Sequence, residues 1–310
     1  MKIPIIVIVG PTASGKTALS VAIAKKYGGE IISADSMQIY RDMHIASAAP
    51  DEEEKEGITH HLFEFLGRDE SYSVAEYVKD ASNVIREIYG RGKLPVIVGG
   101  TGLYINSLID NVHFTEEETD PTLRASLERE YDTVGGEEMI KKLSAFDPKT
   151  AEKLHPNNKK RIIRAFEVYM QTGLTVTEQN AVSKLEESPF EPCVIGLKTE
   201  DRQYLYGRIN LRVDIMLENG LLQEAEKAYK MRGSATSAQA IGHKEFFPYF
   251  NGEASLEEAV ETLKMETRRY AKRQLTWFSR DERINWINID KTENALAEAS
   301  IIIERKLCLE

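Results

Sequence analysis

Near the N-terminus, Gly10, Pro11, Thr12, Ala13, Ser14, Gly15, Lys16 and Thr17 carry the spacing G-x-x-x-x-G-K-T. That spacing suits phosphate. The glycines let backbone N–H groups turn toward an anion, Lys16 brings a mobile positive charge, and the Thr17 hydroxyl can ligate Mg²⁺. A helix beginning near Gly15 adds the positive end of its dipole. A second group, Asp35-Ser36-Met37-Gln38, offers a carboxylate, a hydroxyl and an amide, a set able to hold the hydrogens of a nucleophile. The alternative for Asp35 is a helix N-cap or a turn. In a third group, Gly99-Gly100-Thr101 closes an apolar run where many P-loop nucleotidases have a Mg²⁺-holding Asp. Thr101 is either a site hydroxyl or a turn residue. With that acid absent and no strong base-selecting loop in view, a hydrolytic motor or a switch GTPase is disfavoured, and group transfer remains.

These residues need a scaffold that turns them toward one crevice. The first half of the chain alternates short apolar runs with amphipathic stretches, the pattern of a parallel sheet with helical crossovers. Residues 3–9 read as a buried strand, 18–27 as the helix after the loop, and 30–34, 62–66 and 94–98 as further strands. Ser73-Val74-Ala75-Glu76 has capping-box spacing, and Val74, Tyr77, Val78, Ala81, Ile85 and Ile88 fall on one helical face, which makes this a crossover helix. Ligands of open parallel sheets sit outside the carboxyl ends of the strands. Asp35 and Thr101, each directly after a strand, should therefore face the phosphate loop.

After about residue 112 the pattern becomes helical. Asp120-Pro121 and Asp147-Pro148 each place an N-cap acid before a proline suited to the first helical turn. Pro156 ends one helix before Asn157 or Asn158 caps the next. Leu123, Leu127 and Tyr131, like Ile162, Phe166 and Met170, recur at i, i+4, i+8. The expectation is an α/β fold, a P-loop NTPase-like parallel sheet flanked by helices. An all-helical insertion at 113–190 interrupts a core made of 1–112 and 191–310. Residues 193–198 return to the sheet, Ser255-Leu256-Glu257-Glu258 opens another helix with a capping box, and 284–289 form a last strand.

The chain has 310 residues, 42% apolar and 29% charged, enough for one sizeable core or one core with a smaller appended unit. Its longest apolar run, residues 3–9, is too short to cross a bilayer, and a cytoplasmic protein is expected. Cys193 and Cys308 stand far apart without companion ligands, so neither a disulfide framework nor a zinc site is suggested. His60 and His61, neighbours on an extended segment, face opposite ways and do not read as metal ligands. The net charge of −10 argues against a nucleic-acid partner, but its distribution argues the other way. Lys153, Lys159, Lys160, Arg161 and Arg164 cluster with no acid among them, and residues 262–283 hold seven cations against three acids. Either island can be a solvated face; two in an acidic chain favour a polyanion. Trp277 and Phe278 can stack on bases or fill the core.

The phosphate loop, Asp35-Ser36-Met37-Gln38-Ile39-Tyr40, Val98-Gly99-Gly100-Thr101-Gly102-Leu103-Tyr104, His155-Pro156-Asn157-Asn158 and Ala271-Lys272-Arg273-Gln274-Leu275-Thr276-Trp277-Phe278 together resemble the tRNA dimethylallyltransferases. The five blocks run in order over almost the whole chain. The stretch Gly242-His243-Lys244-Glu245 departs from the family, which more usually has Tyr after the Gly. The resemblance implies transfer of a dimethylallyl group from dimethylallyl diphosphate to the exocyclic amine of the adenine just 3′ of certain anticodons. It further implies Mg²⁺, a tRNA anticodon stem-loop as partner, and a monomer. Lys16, Thr17 and the loop amides would then neutralise the diphosphate, Asp35 would take the amine's proton, and Thr101 would orient base or diphosphate. Ser36, Met37, Gln38, Arg124, Lys159, Lys160, Arg161, Arg164, Arg269, Lys272 and Arg273 would grip the RNA beside Asp35 and Thr101. Arg208 and Arg212, four apart on an expected helix, either reach the diphosphate, where Arg212 is assigned, or pair with surface acids. Three alternatives stand beside this reading: a small-molecule P-loop kinase, an enzyme prenylating free adenine nucleotides, and a nucleotide-gated RNA-binding switch.

Overall fold

The computed structural model describes residues 2–114, 120–183, 186–231 and 240–307. In chain order the elements are β1 (Ile3–Val9), α1 (Lys16–Tyr27), β2 (Gly29–Ser33), α2 (Glu52–Lys55), β3 (His60–His61), α3 (Val74–Gly90), β4 (Leu94–Gly99) and α4 (Gly102–Ile109). Helices α5 (Pro121–Val134), α6 (Gly136–Ser144), α7 (Pro148–Lys153), α8 (Lys159–Thr172) and α9 (Val176–Val182) follow. The chain ends with β5 (Phe190–Lys198), α10 (Arg202–Glu218), α11 (Leu221–Lys230), α12 (Phe247–Phe250), α13 (Leu256–Phe278), β6 (Asn285–Asn288) and α14 (Ala295–Leu307). They fall into two compact units, one of residues 1–109 with 188–310 and one of residues 110–187.

The first unit is built on a six-stranded sheet in the order β3-β2-β4-β1-β5-β6, with every pairing parallel. The α/β class expected from the sequence is thus the class observed. β1 lies in the middle, paired with β4 on one side and β5 on the other. Its uninterrupted apolar run follows from that position, because both faces are covered. Ile5, Val7 and Val9 pack with Tyr77, Ala81, Ile85 and Ile88 of α3, Tyr104, Ile105 and Leu108 of α4, and Phe278 of α13. Ile6 and Ile8 pack on the opposite face with Leu19 and Ile23 of α1 and Ala299 and Ile303 of α14. The Ser73 and Ser255 capping boxes both form.

One expected strand is absent. Residues 62–66 are not extended, because Leu62 and Glu64 take φ of 54° and 46°, a left-handed backbone that interrupts a ladder. β3 comprises only His60 and His61, and Leu66 makes an isolated bridge to Tyr40. His61 meets Glu30 at 2.6 Å and His60 meets the Ile58 carbonyl at 2.9 Å. Glu30, buried at the start of β2, also accepts from Arg91 at 2.7 Å and Lys93 at 2.8 Å. Burial works against its charge, but Lys93, His61 and Arg91 outweigh it and bring the Glu30 pKa down to about 2. Cys193 is a buried free thiol pushed up to about 11 by that burial; Cys308 lies outside the described residues.

The second unit is helical around Leu127, Met139, Leu143, Ile162, Ile163 and Phe166. Asp120 and Asp147 cap α5 and α7 ahead of their prolines. Asp147 does more than cap: it also accepts from the Thr177 hydroxyl at 2.6 Å and amide at 3.1 Å, fastening α9 to α7. Asn158 occupies the N-cap of α8, but its side chain makes no capping bond. Met170, placed by its spacing on the core face, is exposed because α8 buries the side that carries Ile162, Ile163 and Phe166. Among the described residues no helix is long and apolar enough to cross a membrane.

Candidate active site

Three loops leave the carboxyl ends of β1, β2 and β4 side by side. The first is the phosphate loop, which needs its glycines. Gly10 has φ 146°, and a Cβ there would lie 2.7 Å from the Leu197 carbonyl of β5. Gly15, at φ 90°, is the N-cap of α1 and leaves the helix start without a side-chain cap. Free amides are thereby kept for an anion. The Ser14 hydroxyl is buried and has no hydrogen-bond partner among the described residues. The Lys16 ammonium folds back and donates to the Pro11 carbonyl at 2.7 Å. Burial, and secondarily the Arg212 guanidinium, lower its pKa to about 7, while Asp35 acts in the opposite direction.

Arg208 and Arg212 of α10 both reach this loop. Arg208 Nε donates to the Ala13 carbonyl at 2.7 Å, and Arg212 donates to the Thr12 hydroxyl and the Ala48 carbonyl, each at 3.2 Å. The pair thus meets the phosphate loop itself, and Arg212 also the loop at Ala48. Arg212 is held below its ordinary range by burial, with Glu54 and Asp35 opposing and Arg208 adding to it.

Asp35 follows β2 and is half-buried. Its Oδ1 accepts the Met37 amide at 2.9 Å, so the turn role is present and fixes the carboxylate. Oδ2 lies toward Gly100. The charge of Asp35 is felt by Lys16, Arg212, Tyr104 and Tyr270, which surround the crevice. Thr101 Oγ1 accepts the Ser36 amide at 2.9 Å and donates to the Ser36 hydroxyl at 3.2 Å, joining the ends of β2 and β4. Gln38 turns inward: its amide meets Ser33 Oγ at 3.2 Å and the Ala48 carbonyl at 3.2 Å, which ties down the loop that Arg212 also holds. Met37 packs against the small cluster of Ile39, Tyr40 and Met43.

α13 closes the crevice with residues that local sequence does not single out. Gln274, buried, accepts the Thr12 amide at 2.8 Å and donates to the Gly100 carbonyl at 3.1 Å. One turn earlier Tyr270 lies beside Gln274 and Thr101, and burial together with Asp35 pushes its pKa far up. Trp277 crosses Gly102 so closely that a Cβ there would overlap its indole. The glycines after β4 thus admit α13; only their spacing in sequence hints at it. Glu224 of α11 likewise carries no local sequence signal. It accepts from the amides of Ile45 and Ala46 at 2.9 Å and faces His243 Nε2 at 2.7 Å. Burial raises its pKa, but His243 and the two amides reverse this and hold it below the ordinary range. His243 is therefore a partner of Glu224.

Among the described residues no group of three or more His, Cys, Asp or Glu side chains is placed to hold a metal. A divalent cation here would be shared by the Thr17 hydroxyl, water and phosphate oxygens, the habit of Mg²⁺. The basic residues fall in both units. In the first, Arg269, Lys272 and Arg273 are exposed along α13; Arg269 meets Glu266 at 2.6 Å, and Arg268 is drawn onto Asn210 of α10 at 2.7 Å. In the second, Lys160, Arg161 and Arg164 are exposed on α8, Lys159 meets Asp132 at 2.5 Å, and Arg124 meets the buried Glu167 at 3.3 Å. Three of these cations occupy the first turn of α8, where the helix dipole opposes positive charge.

Comparison with known proteins bears on all of this at once. The IPP transferase family model matches residues 38–281, and an isopentenyl transferase model matches residues 3–66. The tRNA dimethylallyltransferase of Acetivibrio thermocellus is 51% identical over 94% of this chain and 93% of its own. The chain belongs to the tRNA dimethylallyltransferase family. The Bacillus subtilis tRNA dimethylallyltransferase is 47% identical over 93% of this chain and 91% of its own. Among solved structures, the Bacillus halodurans tRNA isopentenylpyrophosphate transferase is 41% identical, with TM-score 0.73 over 99% of each chain. A eukaryotic dimethylallyltransferase acting on tRNA aligns at TM-score 0.84 and 30% identity over 99% of this chain and 79% of its own.

Proposed function

We propose that this enzyme transfers a dimethylallyl group from dimethylallyl diphosphate, with Mg²⁺, to the exocyclic N6 amine of the adenosine 3′-adjacent to the anticodon in certain tRNAs. The observation that carries the reading is the opposition of the phosphate loop and Asp35 across one crevice, where Gln274 spans Thr12 of the loop and Gly100, and Asp35 Oδ2 lies toward Gly100. In the transfer, the allylic carbon–oxygen bond breaks and the diphosphate leaves with the electron pair. The N6 lone pair forms the new carbon–nitrogen bond, and its proton passes to the carboxylate. Asp35 Oδ2 is the receiving atom, since Oδ1 is engaged by the Met37 amide. Lys16, Arg212 and the loop amides meet the charge that grows on the leaving oxygen. Bound Mg²⁺ would add charge neutralisation there, held by Thr17 and the diphosphate itself.

The acceptor base must leave the anticodon-loop stack, which costs a few kcal/mol and calls for grip on the flanking backbone. Lys159, Lys160 and Arg161 support that role, because a polyanion turns their unfavourable place on α8 into a favourable one. Arg164, Arg269, Lys272 and Arg273 extend the grip, with Arg124 positioned through Glu167. We further propose that the enzyme works as a monomer in the cytoplasm, where it meets tRNA. The test is an acceptor and donor comparison. An anticodon stem-loop carrying the target adenine should gain one five-carbon unit from dimethylallyl diphosphate, while AMP should not. Phosphate transfer from ATP without prenylation, or prenylation of AMP in preference to RNA, would overturn the reading.

A further inference from the structure

The crevice has two halves that are far apart in sequence. The phosphate loop, after β1, holds the leaving group, and the ends of β2 and β4 hold Asp35 and Thr101. The side chain of Gln274 spans the two. Its Oε1 accepts from Thr12 N–H on the loop at 2.8 Å, and its Nε2 donates to the Gly100 carbonyl at 3.1 Å. Gly100 has no side chain at the point of contact, where a Cβ would come 3.2 Å from the Gln274 Cδ and overlap its nitrogen. The same Cβ position is 3.9 Å from Asp35 Oδ2 and 2.0 Å from the Gln274 nitrogen, so both side chains lie at Gly100. Tyr270, one turn earlier on α13, lies beside Gln274 and Thr101.

We infer that Gln274 is a positioning residue of the transfer reaction, setting the separation of the diphosphate loop from Asp35 and Thr101. The inference rests on the prenyl transfer proposed above. Displacement at an allylic carbon needs the leaving oxygen, the carbon and the attacking nitrogen nearly in line, and a displacement of about 1 Å costs on the order of a hundredfold in rate. A primary amide offers, from one terminus and on two separate atoms, an acceptor to Thr12 and a donor to Gly100 at any ordinary pH. A carboxylate keeps the first contact and sets an oxygen against the Gly100 carbonyl. A thioether of similar length keeps neither.

The experiment compares Gln274→Met, Gln274→Glu and Gln274→Ala with the wild-type enzyme on an anticodon stem-loop. Single-turnover rates are taken per folded site, with folded fraction from circular dichroism. The expected result is a roughly 30- to 100-fold loss of the transfer rate in all three. The KM for dimethylallyl diphosphate and the Kd for the stem-loop should stay within about threefold, since neither ligand is held by this side chain. Pure packing would let Gln274→Met restore the rate, and a contact to the phosphate loop alone would let Gln274→Glu restore it. Either rescue, or a loss confined to KM, overturns the inference. Wild-type enzyme without prenylated product counts against the proposed activity; product from wild type with Gln274→Met at the same rate counts against Gln274 alone.

Discussion

A methyl group added at Gly99 should disable the enzyme more than it destabilises it. Gly99 ends β4 beside the end of β2. A Cβ there would lie 2.8 Å from Ala34 Cα and closer still to the Ala34 carbonyl. Carbon atoms rest at roughly 3.5–4 Å, so Gly99→Ala must drive the two strand ends apart by about 1 Å. No rotamer relieves this, because the obstructing atoms are backbone. Overpacking of this kind costs about 1–3 kcal/mol in stability. The same shift acts on Ala34, which accepts the Thr101 amide at 3.2 Å and donates to the Val98 carbonyl at 2.7 Å. Asp35 and Thr101 follow directly on the two displaced ends. A 1 Å error between proton acceptor and leaving group costs on the order of a hundredfold in rate. Steady-state prenylation of a stem-loop, paired with urea denaturation, separates the two effects. A variant with wild-type turnover, or one whose loss follows entirely from unfolded protein, would refute the reasoning.

Other substitutions test other parts. Glu30→Gln removes the carboxylate shared by His61, Arg91 and Lys93. Its folded pKa of about 2 lies below the usual 4.5, so its stabilisation is complete above the unfolded value and fades as pH falls from there toward the folded one. Arg91 and Lys93 are half exposed and screened by water, which leaves a contribution of about 1–2 kcal/mol at neutral pH. Urea midpoints of wild type and variant should therefore draw steadily closer as pH falls from about 4.5 toward about 2, and a gap that widens would reject this. Lys160→Ala with Arg161→Ala should weaken stem-loop binding and flatten its salt dependence by about 1–2 in slope. The same change should leave thermal stability level or raise it by a few tenths to about 1 kcal/mol, because it relieves the first turn of α8. A fall in stability with unchanged RNA affinity would remove the island from the RNA site.

What the sequence reveals depends on how local the physics is. The phosphate loop is legible because eight consecutive residues between an apolar strand and a helix suffice to make it. α3 is legible because Ser73 and Glu76 cap it and Tyr77, Ala81, Ile85 and Ile88 bury one face. Residues 62–66 misled because an apolar run does not disclose the positive φ of Leu62 and Glu64. Arg208 and Arg212 were legible as a pair on one helix with two open targets, but not their contacts with Ala13 and Thr12, which lie some two hundred residues earlier. Gln274 and Tyr270 were silent for the same reason. An amide at a buried helical position looks like any polar core residue until the fold brings Thr12 and Gly100 to its two atoms. Glu224 and His243 find each other, and the amides of Ile45 and Ala46, only in three dimensions.

The most direct test of the whole account is the turnover of Asp35→Asn on an anticodon stem-loop, read as mass gain of the RNA. Asparagine keeps an oxygen for the Met37 amide and the size of the side chain, and removes only the capacity to take the proton. The account predicts a transfer rate lower by about 10²–10⁴-fold, with the KM for dimethylallyl diphosphate and the Kd for the stem-loop within a few fold of wild type. Turnover within a few fold of wild type would contradict it and remove Asp35 as the acceptor of the proton.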